Sequence, residues 1–374
     1  MLTTASARPD FAVRLYDKLA STQAGQNLFL SPFSIQVALA MCAAGARGET
    51  RKAIGELIGA PHSLDEQNRQ YAEWIRSVGG QGQRHIHLAI ANALWRQQGL
   101  RLQPDYQKTV ADFYDGACNE VDFLSMPDQA VQTINAWVET RTAGTIRDLI
   151  GRDLIGRDTR LILTNAIYFK GKWDREFDPR DTQDEDWHGP RGVRKVPMMQ
   201  QRQGCLYYEN DDFQALDLTY QGQQLSMLIV LPRKTDSLPA LEKQWAAANT
   251  YQRVTSSLRH EETVIISLPR FKLATQVRLS PVLSDMGTAV VFSEKADFSG
   301  IALEPLKLSE VIHKAFIEVN EEGTEAAAAT GVSWVKAAAA APKCFLADHP
   351  FLFLIRDRKS GSVLFSGRVL EPGS

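Results

Sequence analysis

Apolar positions recur at three- and four-residue intervals through two early stretches, residues 8–20 and 34–58, the spacing of an amphipathic helix. In the second, Ala38, Leu39, Cys42 and Ala43 would share one face. A further helix is predicted over 128–142, where Ile134, Trp137, Val138 and Arg141 keep the same interval. The pattern then changes. Apolar runs of strand length follow at LILTNAIYF (161–169), LSMLIVL (225–231) and TVIISLP (263–269), then at IEV (317–319) and FLFLI (351–355). Helices first and many non-adjacent strands afterwards predict an α+β fold with large mixed or antiparallel sheets. A doubly wound sheet is disfavoured, because strands and helices do not alternate regularly. No Pro/Gly/Ser-rich or strongly charged stretch separates two self-sufficient halves, so residues 1–374 are expected to form a single domain.

One segment resists this periodicity. Residues 321–341 read EEGTEAAAATGVSWVKAAAAA, with nine Ala in 21 positions, and Pro342 ends the run. Propensity favours helix in both Ala stretches, whereas Gly323 and Gly331 argue against one continuous helix. On its residues alone the segment is a long, small-residue connector. A connector of roughly 20 residues inside a compact domain is more often functional than idle.

Charge narrows the function classes. The chain has 42 Lys+Arg against 44 Asp+Glu, a formal balance of −2, which removes the electrostatic case for nucleic-acid binding. Its longest apolar runs, such as 225–232 and 351–355, fall far short of the roughly 20 residues that span a bilayer. Cys42, Cys118, Cys205 and Cys344 lie far apart with no CxxC pair and are expected to be free thiols rather than a metal or redox site. The start of the chain lacks the apolar stretch of a signal peptide and no Asn-x-Ser/Thr site occurs, so a cytoplasmic protein, or a secreted one already trimmed, is expected.

The connector acquires a meaning from its neighbours. VNEEGTEAAAAT (319–330), followed by ADHPFLFLIRD (347–357) and SVLFSGRV (362–369), resembles the hinge, reactive-centre loop and C-terminal strands of a serpin. NLFLSPFSIQVALAMCAAGARGET (27–50), INAWVETRTAGTIRDLI (134–150), LTNAIYFKGKWDREFDP (163–179), VPMM (196–199), LPRFKL (268–273) and LSEVIHKAFIEVNEEG (308–323) are similar to further family segments, in family order. The resemblance covers essentially the whole chain. It implies the serpin fold, with a helix-rich first part, a large central β-sheet, two further sheets and an exposed reactive-centre loop at about 321–345.

It also implies a mechanism. An inhibitory serpin offers its loop to a serine protease, whose own nucleophile forms an acyl-enzyme. The cut loop then inserts into the main sheet as a new strand and traps the protease. No catalytic residue, metal or cofactor of the chain's own is expected. Glu321, Gly323, Thr324, Glu325, Ala326, Ala327, Ala328, Ala329 and Thr330 match the inhibitory hinge. A strand alternates its side chains, so Thr324, Ala326, Ala328, Thr330, Val332 and Trp334 would face the core after insertion. The first four are small. Roughly a dozen inserted residues at a net ~1 kcal/mol per hydrogen bond give on the order of 10 kcal/mol, comparable with the whole stability of a domain, ~5–15 kcal/mol. The uncut form is therefore expected to be a kinetic trap. Trp334 is the misfit, because overpacking costs ~1–3 kcal/mol; it would either slow the last stage of insertion or sit outward or in a local gap.

Family spacing from Glu321 puts the reactive bond at Ala337–Ala338, which suits an elastase-like protease. A shift by one gives Lys336–Ala337, which suits a trypsin-like pocket, and counting back from Pro350 points nearer Ala339–Ala340. Ser31, Ser34, Asn165 and His313 match the polar cluster beneath the opening strands, called the shutter. Trp173 matches the breach, where the loop first enters. The stretch matching the polyanion-binding helix has Arg69 and Arg76 against Asp65, Glu66 and Glu73, so no heparin-type cofactor is expected. A monomer whose partner is the target protease follows. The rivals are a non-inhibitory serpin acting as carrier, chaperone or storage protein, and a hydrolase, for which no GxSxG elbow exists.

Overall fold

The computed structural model describes residues 11–79, 86–247, 249–323 and 342–373. Helices dominate the early chain: α1 (Phe11–Thr22), α2 (Pro32–Gly45), α3 (Gly48–Ile58), α4 (Leu64–Gly79), α5 (Pro104–Tyr114) and α6 (Pro127–Arg141), with α7 (Leu238–Trp245) and α8 (Thr250–Ser257) later. Between them run β1 (Leu28–Leu30), β2 (Ile86–Gln97), β3 (Ala117–Val121), β4 (Leu161–Gly171), β5 (Gln183–Gly189), β6 (Gly192–Glu209), β7 (Phe213–Thr219) and β8 (Leu225–Pro232). The chain continues through β9 (Arg259–Pro269), β10 (Phe271–Arg278), β11 (Glu310–Val319), β12 (Lys343–Leu346), β13 (Phe351–Asp357) and β14 (Val363–Val369).

The stretch predicted as one helix over 34–58 is two. Ala46 and Arg47 are extended between α2 and α3. The break sits beside a close approach: a Cβ on Gly45 would lie 2.2 Å from Ile301 Cγ1 and 2.8 Å from the Tyr106 ring. Nor does α2 have the single apolar face expected of it. Nearly every residue of this helix is buried, because α1, α4, α5 and strands of both sheets pack around it. Such surroundings require Ala, Leu, Met and Cys on all sides.

Among the described residues the strands form two sheets. The larger runs β1-β14-β13-β8-β7-β6-β9-β12, with β5 hairpinned onto β6. The second has five strands in the order β10-β11-β4-β2-β3. It mixes directions: β10–β11 and β4–β2 are antiparallel, whereas β11–β4 and β2–β3 are parallel. The five-stranded sheet is buried on both faces. Leu163, Ile167, Phe169, Val311, Ala315 and Ile317 join the main core that it shares with the other sheet. Ile162, Ala166 and Ile312 point the other way, into a second core with Ile134 and Val138 of α6. Alternation along each strand produces this division. No described helix is long and apolar enough to cross a membrane.

The basic turn RGVRK (191–195) closes the β5–β6 hairpin. Arg194 pairs with Glu371, and Lys195 with Asp186 across the hairpin. These charges are already partnered.

Candidate functional site

The parallel pair β4–β11 lies at the centre of the smaller sheet, in register from Ile162 opposite Glu310 to Phe169 opposite Ile317. One row of this sheet is polar where the next rows of the same face across β2, β4 and β11, Leu94–Leu163–Val311 and Ile90–Ile167–Ala315, are apolar. Asn92 on β2, Asn165 on β4 and His313 on β11 stand directly opposite one another, and all three are buried. Beneath them α2 begins. Ser31 caps it, its Oγ accepting from Ser34 N–H at 3.1 Å, with Pro32 at the first helical position.

Every expected member of this cluster is within hydrogen-bonding reach of another. Ser31 N–H donates to His313 Nε2 at 3.3 Å, so the ring proton sits on Nδ1 and is donated to Asn165 Oδ1 at 2.5 Å. Asn165 Nδ2 donates to both Ser34 Oγ and Asn92 Oδ1. Ser31 Oγ donates to the Leu364 carbonyl at 2.7 Å on the larger sheet. Asn92 was not among the residues anticipated from the sequence. Its signal was present, as one amide on an otherwise apolar face of IHLAIANALW, because a buried amide requires a partner.

Burial pushes the His313 imidazole down to about 3, so it is neutral at physiological pH. The bond from His313 to Asn165 is the side-chain link across the β4–β11 boundary in this row. A strap reinforces that boundary from outside. After α6, the carbonyls of Arg147 and Asp148 accept from Lys314 Nζ at 2.6 and 3.3 Å, and that of Leu149 accepts from Gln276 Nε2 at 3.1 Å. The strap is therefore fastened to β11 and β10, while α6 itself rests on β2.

The end of β11 is fixed separately. Asn320 and Gly323 close a tight turn through Gly323 N–H to Asn320 O at 3.1 Å and Asn320 N–H to Gly323 O at 3.3 Å. Gly323 has φ +105°, and a Cβ there would lie 2.2 Å from Gly171 O and 2.5 Å from Trp173 N. Only glycine fits both the angle and the space. Trp173, 1% exposed, lies against this turn, stacked on Tyr220 at 4.6 Å between ring centroids. Its Nε1 donates to Asn320 O at 3.0 Å and its backbone N–H to Glu322 O at 2.9 Å. Phe177 N–H takes Glu321 O at 2.7 Å.

The Glu321 side chain is buried and accepts from Arg270 Nε at 2.6 Å and Thr182 Oγ1 at 2.5 Å. Burial alone would raise its carboxyl, but the bonds from Arg270 and Thr182 outweigh that and hold it below the usual carboxylate range. Of the hinge residues named from the sequence, Glu321 and Gly323 are thus built into the top of the sheet. Thr324, Glu325, Ala326, Ala327, Ala328, Ala329 and Thr330, and the reactive-bond residues Lys336, Ala337 and Ala338, lie outside the described residues, as does Trp334.

The other chemically interesting groups have structural partners. His349 contacts Asp348 Oδ1 at 2.6 Å through Nδ1 and the Pro232 carbonyl at 2.8 Å through Nε2, so both ring nitrogens are engaged. The four cysteines are free; burial pushes the Cys42 and Cys205 thiols up to about 12 and Cys118 to about 11. Among the described residues no group of His, Cys, Asp and Glu could hold a metal ion.

Comparison with known proteins accords with this geometry. The family model Serpin (serine protease inhibitor) matches residues 6–372. An uncharacterized serpin-like protein of Thermococcus kodakarensis is 41% identical over 97% of this chain and 84% of its own length. An Arabidopsis serpin solved in its native stressed conformation superposes with TM-score 0.87 at 30% identity, covering 97% of this chain and 96% of that one. Human thyroxine-binding globulin, complexed with its ligand, gives TM-score 0.88 at 29% identity, covering 98% and 97%.

Two predictions follow from the fixed groups. His313 binds its proton near pH 6.5 when unfolded and near 3 when folded, so its contribution is full above about pH 6.5 and is lost as pH falls towards 3. By pH 5 the loss should be on the order of 2 kcal/mol, and His313→Gln should flatten the stability-against-pH curve by that amount; denaturant melts from pH 8 to 5 measure it. For the hinge, Glu321→Gln should cost about 2 kcal/mol through its charge-assisted bonds. Arg270→Gln in the same background should add little, whereas additive costs in thermal melts would mean that the two side chains are not coupled.

Proposed function

The chain belongs to the serpin family, and on that premise we propose that it inhibits serine proteases as a suicide substrate. Cleavage at Ala337–Ala338 leaves an acyl-enzyme; the freed segment then enters the five-stranded sheet between β4 and β11 and carries the protease with it. An elastase-like target is favoured by Ala on both sides of the bond. Lys336–Ala337 and a trypsin-like target are the second choice.

The observation that supports insertion is the direct parallel pairing of β4 with β11. A strand turning back from β11 at 320–323 would run antiparallel to both. One parallel ladder would be replaced by two antiparallel ones, which are more stable per residue. Continuing the Asn320–Gly323 pairing residue by residue would put Thr324 opposite Val319, Ala326 opposite Ile317, Ala328 opposite Ala315 and Thr330 opposite His313. Opposed residues share a face, and Val319, Ile317, Ala315 and His313 face the main core. Small residues at 324, 326, 328 and 330 are what a filled core can admit. The shutter and breach roles of Ser31, Ser34, Asn165, His313 and Trp173 rest on the same reading, since the His313–Asn165 bond must part for a strand to pass.

Incubation with pancreatic elastase should give an SDS-stable complex and a released fragment beginning at Ala338, read by mass spectrometry. A fragment beginning at Ala337 with trypsin would move the bond to Lys336. Ala328→Arg should turn the inhibitor into a substrate, because an inward charge would be buried unpaired. Clean cleavage of the parent protein without any complex, by both enzymes, would oppose this reading and favour a non-inhibitory role such as carriage.

A further inference from the structure

A cavity of about 210 Å³ opens beside Trp173, between β6, β7 and the start of β9. Its lining is unusual for its place in the sheet. Gln201 and Gln203 stand opposite Ile266 and Val264, both fully buried, so the two amides also face inward. A bulge at Gly204, where the β6–β9 register shifts, widens the space beside them. The Gln201 Nε2 is buried and has no acceptor, a costly state for a donor unless something in the cavity accepts from it.

The charge is lopsided. On the floor, the buried Asp217 carboxylate is already held by Arg356, through Nε at 3.2 Å and Nη2 at 2.8 Å. Arg358, 3.9 Å from the same carboxylate, lines the cavity too and donates to Gln223 O at 3.0 Å. Arg175, an exposed residue, also lines the cavity and has no hydrogen-bond or ion-pair partner among the described residues. Among the lining residues one carboxylate, already held by Arg356, therefore stands against the two guanidinium groups of Arg175 and Arg358, and the Gln223 amide is engaged with Asp174.

We propose that this cavity binds a small multivalent oxyanion, such as a phosphate or a short dicarboxylate, between Arg175 and Arg358 with the Gln201 amide donating to it. Multivalent oxyanions match forked guanidinium donors. Trp173 forms one wall of the cavity and also holds the carbonyls of Asn320 and Glu322. An occupied site therefore braces the hinge and slows entry of the loop. This regulatory half rests on the inhibitory reading, whereas binding itself does not.

The test uses the uncleaved protein at pH 8, with low-millimolar inorganic phosphate or malonate against chloride of equal ionic strength. Calorimetry should show saturable one-site binding of at least one probe, and thermal melts a rise of a few degrees that saturates with it. The stronger probe identifies the anion type. Arg175→Gln should abolish the response while leaving the chloride melting point unchanged. Gln201→Leu should raise that melting point, because the orphan donor is gone, and weaken binding. A rise that never saturates, or that persists in Arg175→Gln, is general salt stabilisation and overturns the proposal. If binding holds but the rate of heat-induced loop insertion is unchanged, the regulatory half fails. Neither measurement involves a protease, so failure here and failure of inhibition are separately visible.

Discussion

On the proposed insertion, the parallel ladder between β4 and β11 has to be stable enough to hold the sheet together and weak enough to part. Backbone hydrogen bonds alone would close the ladder, and apolar side chains above and below it would make separation expensive all along its length. A polar row through its centre changes the balance. The Asn92–Asn165–His313 row and the two serines below form bonds that are individually directional and, unlike an apolar contact, can be exchanged for others of the same kind. A neutral histidine is well suited to this, since it accepts from Ser31 and donates to Asn165 without bringing a charge into the core.

The same constraint explains why the boundary is fastened from several independent sides. Ser31 joins the polar row to β14 of the larger sheet through Leu364 O. Lys314 and Gln276 fasten the strap after α6 to strands on the far side of the boundary. Glu321, Arg270 and Thr182 close the top. None of these is a large apolar contact. Each is a directional bond that a local movement can break, unlike the apolar contacts of Leu163, Ile167, Val311 and Ala315 along the same two strands.

Much of this was legible in the sequence, for physical reasons that vary with the residue. The runs at 161–169, 225–231 and 351–355 became strands because they are buried on both faces, which removes any need for alternation. The helix expected at 34–58 breaks at Ala46–Arg47, which lie between Gly45 and Gly48, two poor helix formers, Gly48 with a positive φ; the close approach at Gly45 fixes the break there. Ser31, Ser34, Asn165 and His313 were named only through family resemblance; taken singly, a serine before a proline reads as a cap and a histidine as a core residue. Their convergence depends on β2, β4 and β11, which are far apart in the chain, and Asn92 escaped notice for that reason. The cavity beside Trp173 had no signal at all, because inward amides at 201 and 203 look like ordinary surface glutamines until β9 is laid beside them.

Smallness serves two distinct purposes on either side of residue 323. At Gly323 it is required by the closed form: the backbone angle and the approach of Gly171 O to within 2.2 Å of where a Cβ would stand admit no side chain. Thr324, Ala326, Ala328 and Thr330 lie outside the described residues; on the proposed insertion, smallness there is demanded by the faces of Val319, Ile317, Ala315 and His313 that an inserted strand would have to meet. A substitution at 323 should therefore disturb the protein before any protease arrives, whereas one at 328 should be silent until the loop is cut. Two neighbouring requirements of the same composition are thus separable by the stage at which they act, and the division falls at the Asn320–Gly323 turn.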